Sequence, residues 1–164
     1  MTEYKYIMLA EPKYYDFPRF TFKCLDDFNQ KADFYRKRFK DCTEYDFVMI
    51  ECDYITNMIW SAGGKYNVKK FLQLIEDDII SDELDAIKFD TCFLHLNMNF
   101  DQCIEFFDKI DLYEGTTEEY AKDCLDWDNI PRRYHHLVSL REYEEELIDK
   151  NMIEDLCNGF LLIK

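Results

Sequence analysis

The spacing of apolar positions changes period several times in the first third of the chain. Tyr4 to Ala10 reads as a strand, and Phe20 to Cys24 alternates as a second, half-buried one. Between them Glu11 to Pro18 carries two prolines, which cannot donate to a ladder, so it is read as the connecting loop. From Asp26 the pattern turns helical, with Phe28, Ala32, Tyr35 and Phe39 recurring at intervals of four, three and four. Acids open that segment and Arg36, Lys37, Arg38 and Lys40 close it, the polarity a helix dipole favours. Asp46 to Asp53 then predicts a buried strand.

Gly63-Gly64 is the strongest break. Beyond it Val68, Phe71, Leu72, Ile75 and Ile79 trace one helical face, and Glu76, Asp77 and Asp78 crowd the end of that helix. Acids at a helix C-terminus are unfavourable by a few tenths of a kcal/mol each, so these need another reason to be there or are merely tolerated. Short helical pieces are expected at Glu83 to Lys88, Thr91 to Leu96 and Asp101 to Lys109. Ile110 to Tyr113 predicts a short strand. Thr116 to Glu119 is a capping box, and Tyr120, Ala121, Cys124 and Leu125 form the buried face of the helix it starts. Pro131 suits the first turn of a further helix. Ser139 to Glu142 is a second capping box, leading into Tyr143, Leu147 and Ile148. Ile153 to Cys157 and Phe160 to Ile163 flank Asn158-Gly159, a strong hairpin signal.

Composition makes this a folding chain. Of 164 residues 48% are hydrophobic and 17% aromatic, far above a solvated acidic tail, although the formal charge is -15. That charge is uneven. Up to Trp60 there are 11 acidic against 9 basic residues, whereas Ser61 to Leu112 holds 11 against 5 and Tyr113 to Lys164 holds 13 against 6. A field of this sign repels nucleic acid, so direct nucleic-acid binding is not expected and a basic surface is the partner that charge selects.

Chemical motifs are sparse. Seven widely spaced cysteines, an odd number with no signal segment ahead of them, predict reduced and mostly buried thiols in a cytoplasmic protein. Zinc ligands usually arrive in close pairs and no CxxC pair or His-x-Glu unit occurs, so no metal and no cofactor is expected. No apolar run of about 18 residues occurs, so no membrane span is expected. Without a phosphate-cradling glycine loop or a nucleophile tied to a His-Asp pair, no catalytic residue is nominated and the protein is read as a non-enzyme. His135-His136 beside Arg132-Arg133 is read as a solvated face. The aromatic run Tyr14, Tyr15, Phe17, Phe20 and Phe22 is read as packing, since net charge opposes a stacked nucleic acid.

The candidate site is therefore the acids. Glu76, Asp77, Asp78, Asp82, Glu83 and Asp85 form one group, and Asp101, Glu105 and Asp108 a second. Glu118, Glu119, Asp123, Asp126 and Asp128 form a third, and Glu142, Glu144, Glu145, Glu146 and Asp149 a fourth. Acids one helical turn apart are separated by about 5 to 6 Å, on the scale of phosphate spacing along a DNA strand. Such a surface could occupy a groove that binds DNA, although on charge alone an acidic solvated face is the ordinary outcome.

The last third carries a resemblance. EEYAKDCLD at Glu118 to Asp126, Ile130-Pro131, LREYEEELI at Leu140 to Ile148 and a closing Asn158-Gly159-Phe160 strand follow an order that resembles the ArdA antirestriction proteins of plasmids and conjugative elements. An opening strand, the loop Lys13-Tyr14-Tyr15, an aromatic strand at Phe20 to Phe22 and Asp53-Tyr54 are similar to that family's N-terminal pattern. Asp16 to Pro18 replaces its loop glycines, Phe22 its tryptophan and Glu145-Glu146 the Arg-Asp of its late helix. The resemblance implies an elongated α+β protein of three small units. These are an α+β N-terminal unit at 1–61, a central helical bundle at 62–109 and an α+β C-terminal unit at 110–164. It implies a homodimer through the last unit, for which Ile110, Leu112 and Tyr113 are the expected seam. It also implies that carboxylates imitate DNA phosphates in the basic DNA-binding groove of a Type I restriction-modification enzyme or related defence enzyme. Two other readings of the residues stay open. One is an anti-CRISPR or other phage or mobile-element inhibitor acting through a protein-protein patch. The other is an acidic cytoplasmic scaffold or small enzyme.

Overall fold

The computed structural model describes residues 5–13, 18–39 and 44–164. The chain is α+β, with helices and two small antiparallel three-stranded sheets. It divides into two compact units, Met1–Phe107 and Asp108–Lys164.

In the first unit β1 (Tyr6–Pro12), β2 (Phe20–Phe22) and β3 (Tyr45–Cys52) form a sheet in the order β2-β1-β3. Alternation buries Tyr6, Met8 and Ala10 of β1 on one face, with Phe20 and Phe22 beside them. Helix α1 (Leu25–Arg38) packs on that face. The Phe28 ring lies 5.1 Å from Phe22 and 5.4 Å from Phe47, and Tyr35 stacks on Phe20 at 5.4 Å.

Several expectations shift here. Strand β1 runs on through Glu11 and Pro12, which pair with Asp46 and Tyr45; proline is tolerated because it is the strand's last residue. Tyr4, the aromatics Tyr14, Tyr15 and Phe17, and Lys40 lie outside the described residues. Strand β2 stops at Phe22, because Cys24 turns to cap α1, its Sγ accepting from the Asp27 N–H at 3.4 Å. Strand β3 is an edge rather than a buried strand, with Asp46, Val48 and Ile50 exposed. Asp53 lies beyond it: its carboxylate accepts from the Thr56 N–H at 2.7 Å and starts α2 (Tyr54–Ser61), a helix the sequence reading lacks.

Three more helices complete this unit, α3 (Val68–Glu76), α4 (Glu83–Leu94) and α5 (Phe100–Phe106). Two short pieces were expected where α4 is continuous. Thr91 sits inside it with its hydroxyl donating to the Ile87 carbonyl at 2.8 Å, which satisfies a buried polar group without breaking the helix. Ile59, Phe71, Leu72, Ile75, Phe89, Cys92, Phe100 and Cys103 are buried among these helices. The expected break at Gly63-Gly64 is a turn inside this unit: Gly63 has φ 100°, and Gly64 is buried.

The second unit holds β4 (Asp111–Glu114), α6 (Thr117–Cys124), α7 (Leu140–Asp149), β5 (Ile153–Asp155) and β6 (Phe160–Ile163), with sheet order β4-β6-β5. Ala121, Leu147 and Ile153 form a small core covered by Tyr120, Tyr143 and Ile163. Of the expected inner face of α6 only Ala121 is buried; the helix ends at Cys124, which is exposed. Thr116 and Glu119 make the full reciprocal capping box, whereas Ser139 accepts from the Glu142 N–H without a return bond. The hairpin forms with a wider loop than Asn-Gly alone allows. Cys157 and Gly159 take positive φ, and Asn158 accepts from the Phe160 N–H at 3.2 Å.

A Cβ at position 64 would meet Phe71 Cδ2 at 2.7 Å and the Ile59 carbonyl oxygen at 2.9 Å, and the backbone oxygen cannot rotate away. Gly64→Ala is therefore expected to lower unfolding free energy by about 1–3 kcal/mol in urea titration; an unchanged midpoint would show that the turn adapts.

Candidate protein-binding acidic surface

The two units carry charge at different densities. Residues 1–107 hold 20 acidic and 13 basic residues, a net -7, while the much shorter 108–164 stretch holds 15 and 7, a net -8. The acids then separate by what each carboxylate does. The cluster ending α3 is partly structural. One Glu76 oxygen accepts from the Leu25 N–H at 2.6 Å and from the buried Tyr6 hydroxyl, and Asp78 pairs with Lys5, whose Nζ also donates to the Ile75 carbonyl at 2.8 Å. Tyr6 is held protonated, mainly by burial and then by its bond to Glu76. These contacts give Glu76 and Asp78 a reason to sit at a helix C-terminus, whereas Asp77 is tolerated there.

Others are tied by caps and neighbours. Asp82 caps α4 through the Asp85 N–H at 2.9 Å, and Asp85 is half-buried and accepts from Ser81. Asp101 pairs with Lys70 at 2.5 Å. Glu119 sits in its capping box, where the Thr116 N–H and hydroxyl hold its carboxyl below the usual range. Asp123 accepts from the Tyr113 hydroxyl at 2.6 Å, and Asp126 accepts from Asn129. Glu144 is half-buried and accepts from Thr117, while Glu145 and Glu146 pair with Arg141 and Lys150.

Asp77, Glu83, Glu105, Asp108, Glu118, Asp128, Glu142 and Asp149 are exposed, and among the described residues no hydrogen bond or ion pair engages their side chains. Their side chains are open to solvent. Within the first unit, Asp77 and Asp101 rim a groove of about 400 Å³ floored by Leu74, Ile79 and Ile104, with Lys70 and Gln73 at its lip. In the second unit Glu118 stands in the first turn of α6, and Glu142 and Asp149 lie at opposite ends of α7.

Other expected features fall as follows. Ile110 precedes β4, and Leu112 and Tyr113 are half-buried within it; β4 pairs with β6 on one side and is the edge of its sheet. Of the cysteines described, Cys92 and Cys103 are buried, Cys24 and Cys52 half-buried, and Cys124 and Cys157 exposed, so the thiols are less buried than expected. His135 Nε2 lies 2.7 Å from the Ile130 carbonyl and its ring packs on Trp127, while Arg132, Arg133 and His136 stay exposed. Among the described residues no group of three His, Cys, Asp or Glu side chains is placed to hold a metal ion, and no helix is long and apolar enough to cross a membrane. Asp90, absent from the expected set, is half-buried on α4, and burial pushes its carboxyl above the usual range while His95 pulls it down.

The contact between Tyr113 and Asp123 sets a measurable titration. The hydrogen bond to Asp123 pushes the Tyr113 phenol up to about 12. A raised phenol pKa means that the contact favours the fold below the ordinary tyrosine value and loses that contribution as pH rises through about 12. Asp123→Asn is expected to return one tyrosine toward ordinary titration in alkaline ultraviolet absorbance, and an unaltered curve would exclude the contact.

No protein-family model matches the chain, and no curated protein and no solved structure matches it.

Proposed function

We propose that this chain is a DNA-mimic antirestriction protein, similar to the ArdA family, that inhibits a Type I restriction-modification enzyme by occupying its DNA-binding groove with carboxylates. The observation that carries the reading is the set of exposed, unengaged acids spread over α3 to α7, densest in the second unit. The order of the α6 segment, Ile130-Pro131, the α7 segment and the Asn158-Gly159 hairpin supports the family likeness. The three-unit, elongated organisation belongs to this proposal, as does a dimer through Leu112 and Tyr113 on the edge strand β4 and Ile110 just before it. The proposed site of action is the cytoplasm, and no catalytic group or cofactor takes part.

The mechanism is distributed electrostatic competition. A field of net -15 steers the protein toward a cationic groove, and carboxylates at one-turn spacing replace phosphates there. Asp82 and Glu119, fixed by caps, place their charge rigidly, while free acids such as Glu118 and Glu142 adapt to the groove. Because each exposed pair contributes little alone, affinity is the sum of many weak terms and is screened by salt.

The direct test is displacement of duplex DNA from a Type I methyltransferase core at rising ionic strength. Displacement is expected at low salt and is expected to fade steeply toward about 0.5 M, where the screening length falls to a few ångströms. Single neutralisations among Glu118, Asp128, Glu142 and Asp149 should change inhibition less than about threefold, in line with exposed ion pairs worth under 1 kcal/mol. Neutralising a dozen together should remove it. Loss of inhibition from one such change would refute the distributed model, and salt-independent inhibition would favour a protein-protein patch.

A further inference from the structure

The two edges of the first sheet are treated differently. At β2 the chain closes its own edge: Lys31 Nζ donates to the Thr21 carbonyl at 2.8 Å, and Asp27 accepts from the Lys23 N–H at 3.2 Å. At β3, with more than twice as many residues, no strand pairs with the outer edge among the described residues. That edge is apolar as well as open. Val48 is 45% and Ile50 54% exposed, and Tyr54 just beyond the strand is 63% exposed. A long open edge with exposed β-branched residues is a template for another strand.

Charge decides which strand. Asp46 and Glu51, both exposed, flank the apolar pair. When two copies of β3 pair antiparallel in the fully overlapped register, Asp46 of each copy faces Glu51 of the other, and the dyad repeats the repulsion. Parallel pairing in register sets each acid beside itself. Like charges directly opposite are destabilising, so a second copy is disfavoured. The register shift between Ile7 and Met8, where Ile7 pairs with Glu51 and Met8 with Met49, leaves Ile50 without an opposite residue and twists the edge further. A strand with apolar residues opposite Val48 and Ile50 and lysine or arginine opposite Asp46 and Glu51 meets none of these obstacles.

We infer that the outer edge of β3 is a docking site for a cationic, β-branched strand of a partner protein, which joins the sheet as its fourth strand. The backbone ladder supplies affinity, and the two acids select against acidic strands, this chain's own included. The site does not depend on DNA mimicry. It gives the less charged unit a binding role of its own.

The test uses the intact protein and two synthetic peptides, acetyl-KVTVTK-amide and acetyl-EVTVTE-amide, with amide hydrogen exchange and nuclear magnetic resonance shifts as readouts. The lysine peptide is expected to slow exchange of β3 edge amides around Val48 and Ile50. The glutamate peptide is expected to leave them unchanged. Val48→Lys with Ile50→Lys should weaken binding of the lysine peptide at least tenfold; should that variant fail to fold, the comparison of the two peptides on the unmodified protein decides alone. Three results overturn the proposal. Shifts confined to the acidic helices without protection in β3 would mark non-specific attraction, and equal binding of both peptides would remove the charge selection. Protection of the same amides by concentration-dependent self-association would assign the edge to a second copy.

Discussion

The first unit depends on a buried phenol that must find an acceptor. Tyr6 is nearly inaccessible on the inner face of β1, in ring contact with Phe22 and Phe71, and its hydroxyl would be left unsatisfied without the Glu76 carboxylate. That same oxygen receives the Leu25 N–H, one of the donors that the first turn of α1 cannot satisfy itself. One carboxylate thus joins a strand, a helix start and a helix end. The cost of placing it against the α3 dipole is a few tenths of a kcal/mol, whereas charge-assisted hydrogen bonds contribute more than neutral ones. Lys5 reinforces the junction by reaching the Ile75 carbonyl and Asp78. These contacts tie the sheet and α1 to the end of α3.

Much of this was legible from periodicity. Strand β1, helices α1 and α3, the Thr116 cap and the closing hairpin follow from apolar spacing and from side chains that satisfy backbone donors locally. The misplaced readings have common physical causes. Helix α2 was hidden because Tyr-Ile-Thr-Asn-Met-Ile-Trp is rich in β-branched and aromatic residues that read as strand, and only the Asp53 cap and burial of Thr56 and Ile59 decide it. Gly63-Gly64 reads as a break in sequence, yet Gly64 is small because Phe71 and a backbone carbonyl lie against it. A glycine chosen for close packing and one chosen for a linker look the same until the neighbours are known.

The acidic surface shows the same limit. Sequence spacing identifies the carboxylates but not their tasks, because Glu76 is committed by Tyr6, seventy positions away in the chain. Glu118 and Glu119 are adjacent in sequence, and only the second is consumed by a cap. The structure therefore divides nominally equivalent acids into those that shape the fold and those that remain available. This division also explains how a chain of such charge folds: caps, the Tyr6 junction and pairs such as Arg141 with Glu145 turn part of the repulsion into local order.

The second sheet has an order, β4-β6-β5, in which the middle strand is the last to be synthesised. Strands β4 and β5 touch only through β6, so neither has a ladder partner until residue 163 has left the ribosome. Helices α6 and α7 emerge earlier, but Ile153 and Ile163, which complete their small core, do not. The sheet of this unit can therefore close only once all of β6 has been made. For the interval its acidic segments are held apart by their own repulsion, which protects a nascent chain carrying exposed strands from association with its neighbours.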